Sequence, residues 1–418
     1  MKVVLKSVFL ILLSILVGYL LLAFSWFLFP GEACRSHLDE TVALLKKEGP
    51  FPEDAYSQKL LDNYTDSTMI SEAIDSSEAN PFLHAVSAPY AVAENKDPFE
   101  SFLAVYSGAE QPVSASSYAR YWHGYLLFLK PALKLFSYRQ IRHLNAVVQL
   151  VLLAAVVLLL QKRAKSRFLI SFVLMILFMG PTAIANSLQF SSVYYVMMGF
   201  VLLLLCRPQL ASDRYRSYFL FLFSGIVTAY LDFLTAPTVT LTVPLTVLCI
   251  ILTEKREKEI GKHLLLCAVF WFAGYAGMWS GKWVIAFAVQ RGAFVNTLLD
   301  TLRFRSSTQL VNTSISRSAA VLRCLKMMLS NYYLDVFTAL YAIFVFLDGF
   351  TRRHRSGAAG GLRRTLSGLI PFTVPILVSF LWIVLLANHS YIHASFLTFR
   401  MLCPLVFCGL VMLDEAMA

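Results

Sequence analysis

Apolar positions in this chain come in long unbroken runs rather than in alternating or striped patterns. A helix needs roughly 17–25 apolar residues to cross a bilayer. Runs of that kind lie near 7–29, 142–161, 168–185, 190–206, 218–234, 237–253, 264–289, 331–349, 366–387 and 396–413. They predict an all-α, polytopic membrane protein of about ten transmembrane helices. The first run follows a basic start and ends in bulky aromatics. It is longer than a secretory apolar core of roughly 7–15 residues, so it reads as a retained span. The stretch "YWHGYLLFLKPALKLF" at 121–136 is also apolar, but Lys130-Pro131 interrupts it. It reads as a juxtamembrane or partly embedded helix.

The polar segments between runs set an orientation, because short loops rich in Lys and Arg stay on the cytoplasmic side. Four such loops stand out: "QKRAKSR" (161–167), "RPQLASDRYRSY" (207–218), "EKREKEIGKH" (254–263) and "TRRHRSGAAGGLRR" (351–364). With both termini inside and 121–136 kept out of the count, all four are cytoplasmic. The opposite side receives a large first loop, 30–141, and a second large loop, 290–330. It also receives two small loops carrying "NSLQFSS" (186–192) and "NHSYIHAS" (388–395). Helical periodicity in the first loop covers 36–48 and 55–75, broken at Gly49-Pro50 and Pro52.

Composition agrees with membrane residence. The chain is 58% hydrophobic with a mean hydropathy of +0.64, against about 45–50% apolar in soluble domains. The net charge of +11 conceals an asymmetry: residues 31–117 hold 15 of the 25 acids. No nucleic-acid motif accompanies the basic segments, so they speak of topology and phospholipid contact. Seven cysteines without CxxC spacing suggest neither a disulfide framework nor a metal site. No GxxxxGK[ST], GxGxxG, HExxH or GxSxG motif is present, which turns attention from nucleotides to the non-cytoplasmic side.

Five groups of polar residues there could carry chemistry. In "LLDNYTDSTMI" (60–70), Asp62 and Asp66 are four residues apart and share a helix face. Such a pair is either a solvated face, a divalent-cation site, or a general base with a neighbour that tunes it. Asp232, in "AYLDFLTAP", sits near the outer end of a span, where a carboxylate is costly and faces a polar cavity or the headgroups. The second large loop carries Arg303 and Arg305 among six cations with Asp300 as its one acid. Arginine forks suit phosphate oxygens. Arg120, Lys130, Arg139 and Arg142 flank the short helix at headgroup level, where snorkelling is the commoner role. In "NHSYIHASFLTFR" (388–400), His389 and His393 have the spacing of a metal pair but lack a third ligand nearby. Cavity lining suits them better, and Arg400 should face protein or water. Sequons at Asn63, Asn312 and Asn388 fall on non-cytoplasmic loops and are candidate glycosylation sites, or chance triplets.

A first span, a large outer loop with juxtamembrane helices and an early acid in "DNYTDS", then "YARYWHGYLLFLKPALKLFSYRQIRHLN" leading into the second span, together resemble the C-type glycosyltransferase superfamily (GT-C). The resemblance covers most of the chain. It implies a transferase moving a sugar from a polyprenyl-phosphate-linked donor to an extracytoplasmic glycan, lipid or protein. The first-loop acid, here Asp66 or Asp62, would be the general base, or would help hold a divalent cation where one is used. Lys130, Arg303, Arg305 and Arg400 match in character the residues that hold the donor phosphate, with Asp232, His389 and His393 as further substrate-binding candidates. Two other readings stand beside this one. A polymerase or ligase of diphosphate-linked oligosaccharides also uses external arginines and histidines, and a lipid-linked-sugar flippase would show repeated halves and paired broken spans.

Overall fold

The computed structural model describes residues 2–54, 59–163, 166–310, 313–356 and 369–417. The Asn312 sequon and most of the glycine-rich stretch at 356–361 lie outside them. In chain order the helices are α1 (Lys2–Leu28), α2 (Leu38–Glu48), α3 (Asn63–Ile74), α4 (Pro81–Ser87), α5 (Pro98–Tyr106), α6 (Leu126–Leu135), α7 (Tyr138–Lys162), α8 (Leu169–Met179), α9 (Pro181–Asn186) and α10 (Leu188–Cys206). There follow α11 (Gln209–Ser212), α12 (Arg214–Leu231), α13 (Val239–Glu254), α14 (Ile260–Gln290), α15 (Gly292–Ser306), α16 (Arg317–Met328), α17 (Tyr332–Ser356), α18 (Thr373–Leu385), α19 (Ala387–Ile392) and α20 (Pro404–Met417).

Every apolar run named above contains helix, and among the described residues five helices are long and apolar enough to cross a membrane: α1, α7, α10, α14 and α17. Of the rest, α8, α13 and α6 are shorter, at eleven, sixteen and ten residues. After α8 the chain passes through left-handed Gly180 and then Pro181, so at eleven residues α8 spans only about 16 Å. α13 has Pro244 inside it and is buried on every side, as a helix apolar all round must be. The segment at 121–136 forms the ten-residue α6, too short to cross.

Close helix contact rests on glycine. A Cβ at Gly225 of α12 would strike the Trp271 carbonyl of α14, and one at Gly274 of α14 would strike the Leu222 carbonyl of α12. Small residues let membrane helices approach in this way. α1 lies across the same helix, with Ile11 and Ile15 seated on Gly277 and Gly281.

The first loop folds over one end of this bundle. The helices expected at 36–48 and 55–75 form as α2 and α3, the second beginning only at Asn63; residues 55–58 lie outside the described residues. α3 is buried on all faces although half its residues are polar. Two buried lysines tie the loop down. Lys130 Nζ donates to the Ala73 carbonyl at the end of α3 (2.8 Å), and Lys282 Nζ to the Ala85 and Val86 carbonyls at the end of α4 (2.9 and 2.8 Å). Amines at helix C-termini meet the last carbonyls and the negative end of the dipole. The loop also holds a two-stranded antiparallel sheet, β1 (Pro89–Val92) against β2 (Ser114–Ser117). The sequence pattern did not predict it, because each strand is four residues and "SASS" carries no apolar alternation.

Candidate functional site

Asp62 and Asp66 do not form a solvated face. Asp62 is the N-cap of α3: its carboxylate accepts from the Thr65 amide at 3.0 Å and the Thr65 hydroxyl at 2.8 Å. Asp66, one turn on, reaches across the fold to the start of α10. Its Oδ2 accepts from the Leu188 amide (2.8 Å) and the Tyr138 hydroxyl, and its Oδ1 from the Gln189 amide (3.1 Å). A carboxylate at a helix N-terminus is favoured by the dipole. Behind it, Arg142 bonds the Tyr138 hydroxyl, Asn63 and both oxygens of Glu48. Burial pushes the Asp62 carboxyl up to about 7, with the charge of Asp66 adding to the effect. It pushes Asp66 up to about 6 against the opposing pull of its donors. Asp62 can therefore change protonation near neutrality, and both carboxylates are engaged at helix N-termini, Asp62 at its own helix and Asp66 at α10.

Four of the remaining sequence-predicted residues converge. Arg305 Nη1 donates to the Tyr121 hydroxyl at 2.6 Å. His389 Nε2 donates to the Leu234 carbonyl at 3.1 Å, and its ring lies 4.6 Å from that of His393. Asp232 closes the same turn, accepting from the Thr235 amide at 3.0 and 3.1 Å. Phe233, between them, packs against Tyr118, Tyr121, His123 and Tyr125 at 5.0–5.5 Å. Burial, reinforced by the Arg305 charge, holds His389 well below the usual imidazole range and His393 down to about 4. Both rings are thus neutral at pH 7, and the Nδ1 atoms of both are buried without a hydrogen-bond partner. Among the described residues no group of three or more His, Cys, Asp or Glu side chains is placed to hold a metal ion.

Three predicted residues lie elsewhere. Arg303 is exposed near Asp300 (4.0 Å), because two residues along a helix point away from Arg305. Lys130 stands under α3, its Nζ 3.1 Å from the centroid of Trp26 rather than at headgroup level. Burial lowers this amine to about 7. Arg400 is buried on the far side of α10, over the Phe190 ring (4.0 Å) and bonded to the Met179 carbonyl (2.9 Å), with its Nη2 unpartnered. The sequons at Asn63 and Asn388 are corrected as glycosylation candidates: both side chains are buried, Asn63 on Glu48, Gly49 and Arg142, Asn388 on the carbonyls of Phe304 and Gln309.

Sequence reasoning missed an acid–imidazole pair beside this cluster. Glu72 Oε2 lies 3.0 Å from His123 Nδ1 and accepts from the Tyr125 hydroxyl, all inside the protein. Glu72 is six residues from Asp66, on another face of α3, and a face-by-face reading cannot credit a helix buried all round. The one local sign was Gly124, whose amide bonds the Tyr230 carbonyl at 2.8 Å in a space that admits no side chain.

A groove of about 740 Å³ lies among the helices and touches this region through Met69 of α3 and Tyr125. It runs between α6, α7, α10 and α12 from Leu203 and Phe223 to Leu188, Met69 and Tyr125. The fifteen steps from Leu188 to Leu203 correspond to about 22 Å of helix. Phe128, Leu144, Val148, Leu203 and Phe223 are exposed along it, so it opens sideways. Among the described residues that line it, Asn145, Ser191, Ser192, Tyr125 and Tyr195 carry polar groups and none is charged.

The fold and site define an all-helical protein with membrane-spanning character. Comparison with models of known protein families, with curated proteins and with solved structures finds no match to this chain.

Proposed function

We propose that the protein is a membrane glycosyltransferase, moving a sugar from a polyprenyl-phosphate-linked donor to a glycan, lipid or protein acceptor outside the cytoplasm. The single observation that carries this reading is the groove. It is apolar, open to the side where lipid chains would lie, and its closed end meets α3, the helix that bears Asp62, Asp66 and Glu72. A lipid carrier needs such a channel, and glycosyl transfer needs a carboxylate at its reacting end.

In this reading the donor chain occupies the groove and its phosphate lies near Tyr125. Asp62 takes the proton of the acceptor hydroxyl as that oxygen bonds the sugar carbon. The bond from that carbon to the phosphate oxygen breaks, and its electron pair leaves with the lipid phosphate. Asp66 holds α3 against α10. The cluster of Arg305, His389 and His393 supplies donors and aromatic faces for the sugar. Ten crossings, cytoplasmic termini and a GT-C-like arrangement belong to the same proposal.

The test is release of lipid phosphate from a panel of farnesyl-phospho-hexoses by the purified full-length chain. Turnover of at least one donor, lost in a folded Asp62→Asn variant, is the expected result. Undiminished turnover in that variant removes Asp62 as the base.

A further inference from the structure

One arginine beside the Tyr121 cluster has no acid to meet it. Arg120 is half-buried, its guanidinium carbon 4.3 Å from the centroid of the Tyr118 ring and 5.5 Å from that of Tyr121. Its Nε is buried with no hydrogen-bond partner, and among the described residues no carboxylate pairs with it. Arg142, on the helix that follows, is the contrast: its Nη1 meets both oxygens of Glu48 at 2.8 and 2.9 Å. A guanidinium donates five N–H groups, accepts none and stays charged. Withdrawing such a charge from water without a counter-charge is costly. Aromatic faces offset part of that cost, and an anion would offset the rest.

A pocket of about 140 Å³ adjoins this side chain, lined by Arg120 with Ser117, Gln290, Phe294, Thr297 and Leu298 and by no acid. A water molecule takes up about 30 Å³ of the liquid, so the space suits a group of a few waters' bulk, such as an oxyanion. Its walls are held in place. Ser117 Oγ donates to the Ser87 carbonyl (2.9 Å) and accepts from Gln290 Nε2 (2.6 Å), which leaves Gln290 a second amide hydrogen to give. Trp283 Nε1 donates to the Arg120 carbonyl at 3.1 Å and ties that segment to α14. The far wall exists because the chain doubles back at Arg291. Its left-handed backbone (φ 54°) is costly for a residue other than glycine, and such strain collects at functional sites. At 31 residues α14 is about 46 Å long, close to the 40–45 Å of a bilayer with its headgroups. Gln290, at its end, therefore stands at headgroup level.

We propose that this pocket binds a phosphate group, with the Arg120 guanidinium as its anchor and the Gln290 amide as a second donor. Arginine grips phosphate oxygens two at a time, and Gln290 adds a neutral hydrogen bond. The phosphate belongs to a lipid headgroup or to a soluble phosphate ester, and the same two donors serve either. Tyr121 separates the pocket from Arg305, which bonds the Tyr121 hydroxyl. A phosphate held here stands one aromatic ring away from the cluster of Arg305, His389 and His393. The pocket shares no lining residue with the groove, so it goes beyond the transferase reading and does not depend on it.

The experiment measures binding by the full-length protein in dodecyl maltoside, a detergent without phosphate. One arm titrates phosphatidylglycerol by native mass spectrometry, and the other titrates glycerol 3-phosphate by calorimetry. Losing the hydrogen bonds of a charged donor costs roughly 10- to 150-fold in affinity. Arg120→Gln should lose that much in whichever arm binds, while Arg303→Gln, exposed and outside the pocket, loses nothing. Gln290→Glu sets a carboxylate beside Arg120 without touching its packing on the tyrosines. That variant should keep or raise Tm and abolish phosphate binding, which decides the matter even where Arg120→Gln fails to fold. Loss in the lipid arm identifies a headgroup, and loss confined to the soluble arm a phosphate ester; both uphold the site. No binding by the wild-type protein in either arm overturns it. So do undiminished binding in Arg120→Gln, an equal loss in Arg303→Gln, or a Gln290→Glu variant that still binds. Turnover of a lipid-phosphate sugar tests the transferase reading separately.

Discussion

Replacing Gly199 by leucine should move stability and function in opposite directions. Gly199 lies within α10 on the wall of the groove, and a Cβ built there meets no atom within 4 Å. The folded backbone thus has room for a side chain. Glycine inside a helix is less favourable than a good helix former by roughly 0.5–1 kcal/mol, so the variant should be at least as stable as the parent. The isobutyl group would instead occupy space assigned to the lipid chain. Forcing extra methylenes into a packed space costs about 1–3 kcal/mol, which at 1.4 kcal/mol per decade is a roughly 5- to 150-fold loss of affinity. Thermal unfolding in detergent measures the first effect, and titration with a polyprenyl monophosphate in nanodiscs measures the second. An unchanged or raised Tm with weakened binding is the expected pair of results. Wild-type affinity in Gly199→Leu would show that the carrier does not lie in this groove, whatever the rest of the site does.

Asp62→Asn should abolish transfer without unfolding. In the parent, the raised carboxyl implies that kcat/KM falls as pH drops below about 7, because the base is then protonated; a pH profile with no acid limb near that value contradicts the assignment. Asp66→Asn should act first on stability, since one amide oxygen cannot replace two carboxylate oxygens at the start of α10; a loss of about 1–3 kcal/mol for the unpaired donors is expected, read as a lower Tm. Arg305→Ala should weaken binding of a turned-over lipid-phosphate sugar while Arg303→Ala leaves it unchanged, and equal effects would deny that Arg305 alone faces the site. Lys130 is lowered to about 7 in the fold, below its unfolded value, so the unfolded chain binds more protons between about pH 7 and 10 and stability should rise across that window; Lys130→Met should flatten the rise, and an unchanged slope would place the amine in solvent.

The helical scaffold was largely legible because long apolar runs need no tertiary knowledge to recognise. The same hydropathy could not show where Gly180-Pro181 would end a helix early, so the segment containing α8 reads like that of α10. Site residues were legible as types and less so as partners. Arg305, His389, His393 and Asp232 come together although three separate segments supply them, which spacing in the sequence does not show. Asp66 was expected to meet substrate, yet it caps a helix that begins 122 residues later; spacing within α3 carries no information about that bond. Lys130 and Lys282 have side chains that close helices far away in sequence, and Glu72 finds its histidine 51 positions downstream. Such pairings are set by packing, and only the left-handed backbone at His123, invisible in a sequence, would have drawn attention to them.

The most direct test of the central claim is native mass spectrometry of the full-length protein, extracted in mild detergent with its bound lipid. A polyprenyl monophosphate, bare or carrying one sugar, retained by the wild-type protein and lost from Gly199→Leu is the predicted result. Retention of a diphosphate-linked oligosaccharide, or of ordinary phospholipid alone, would contradict it.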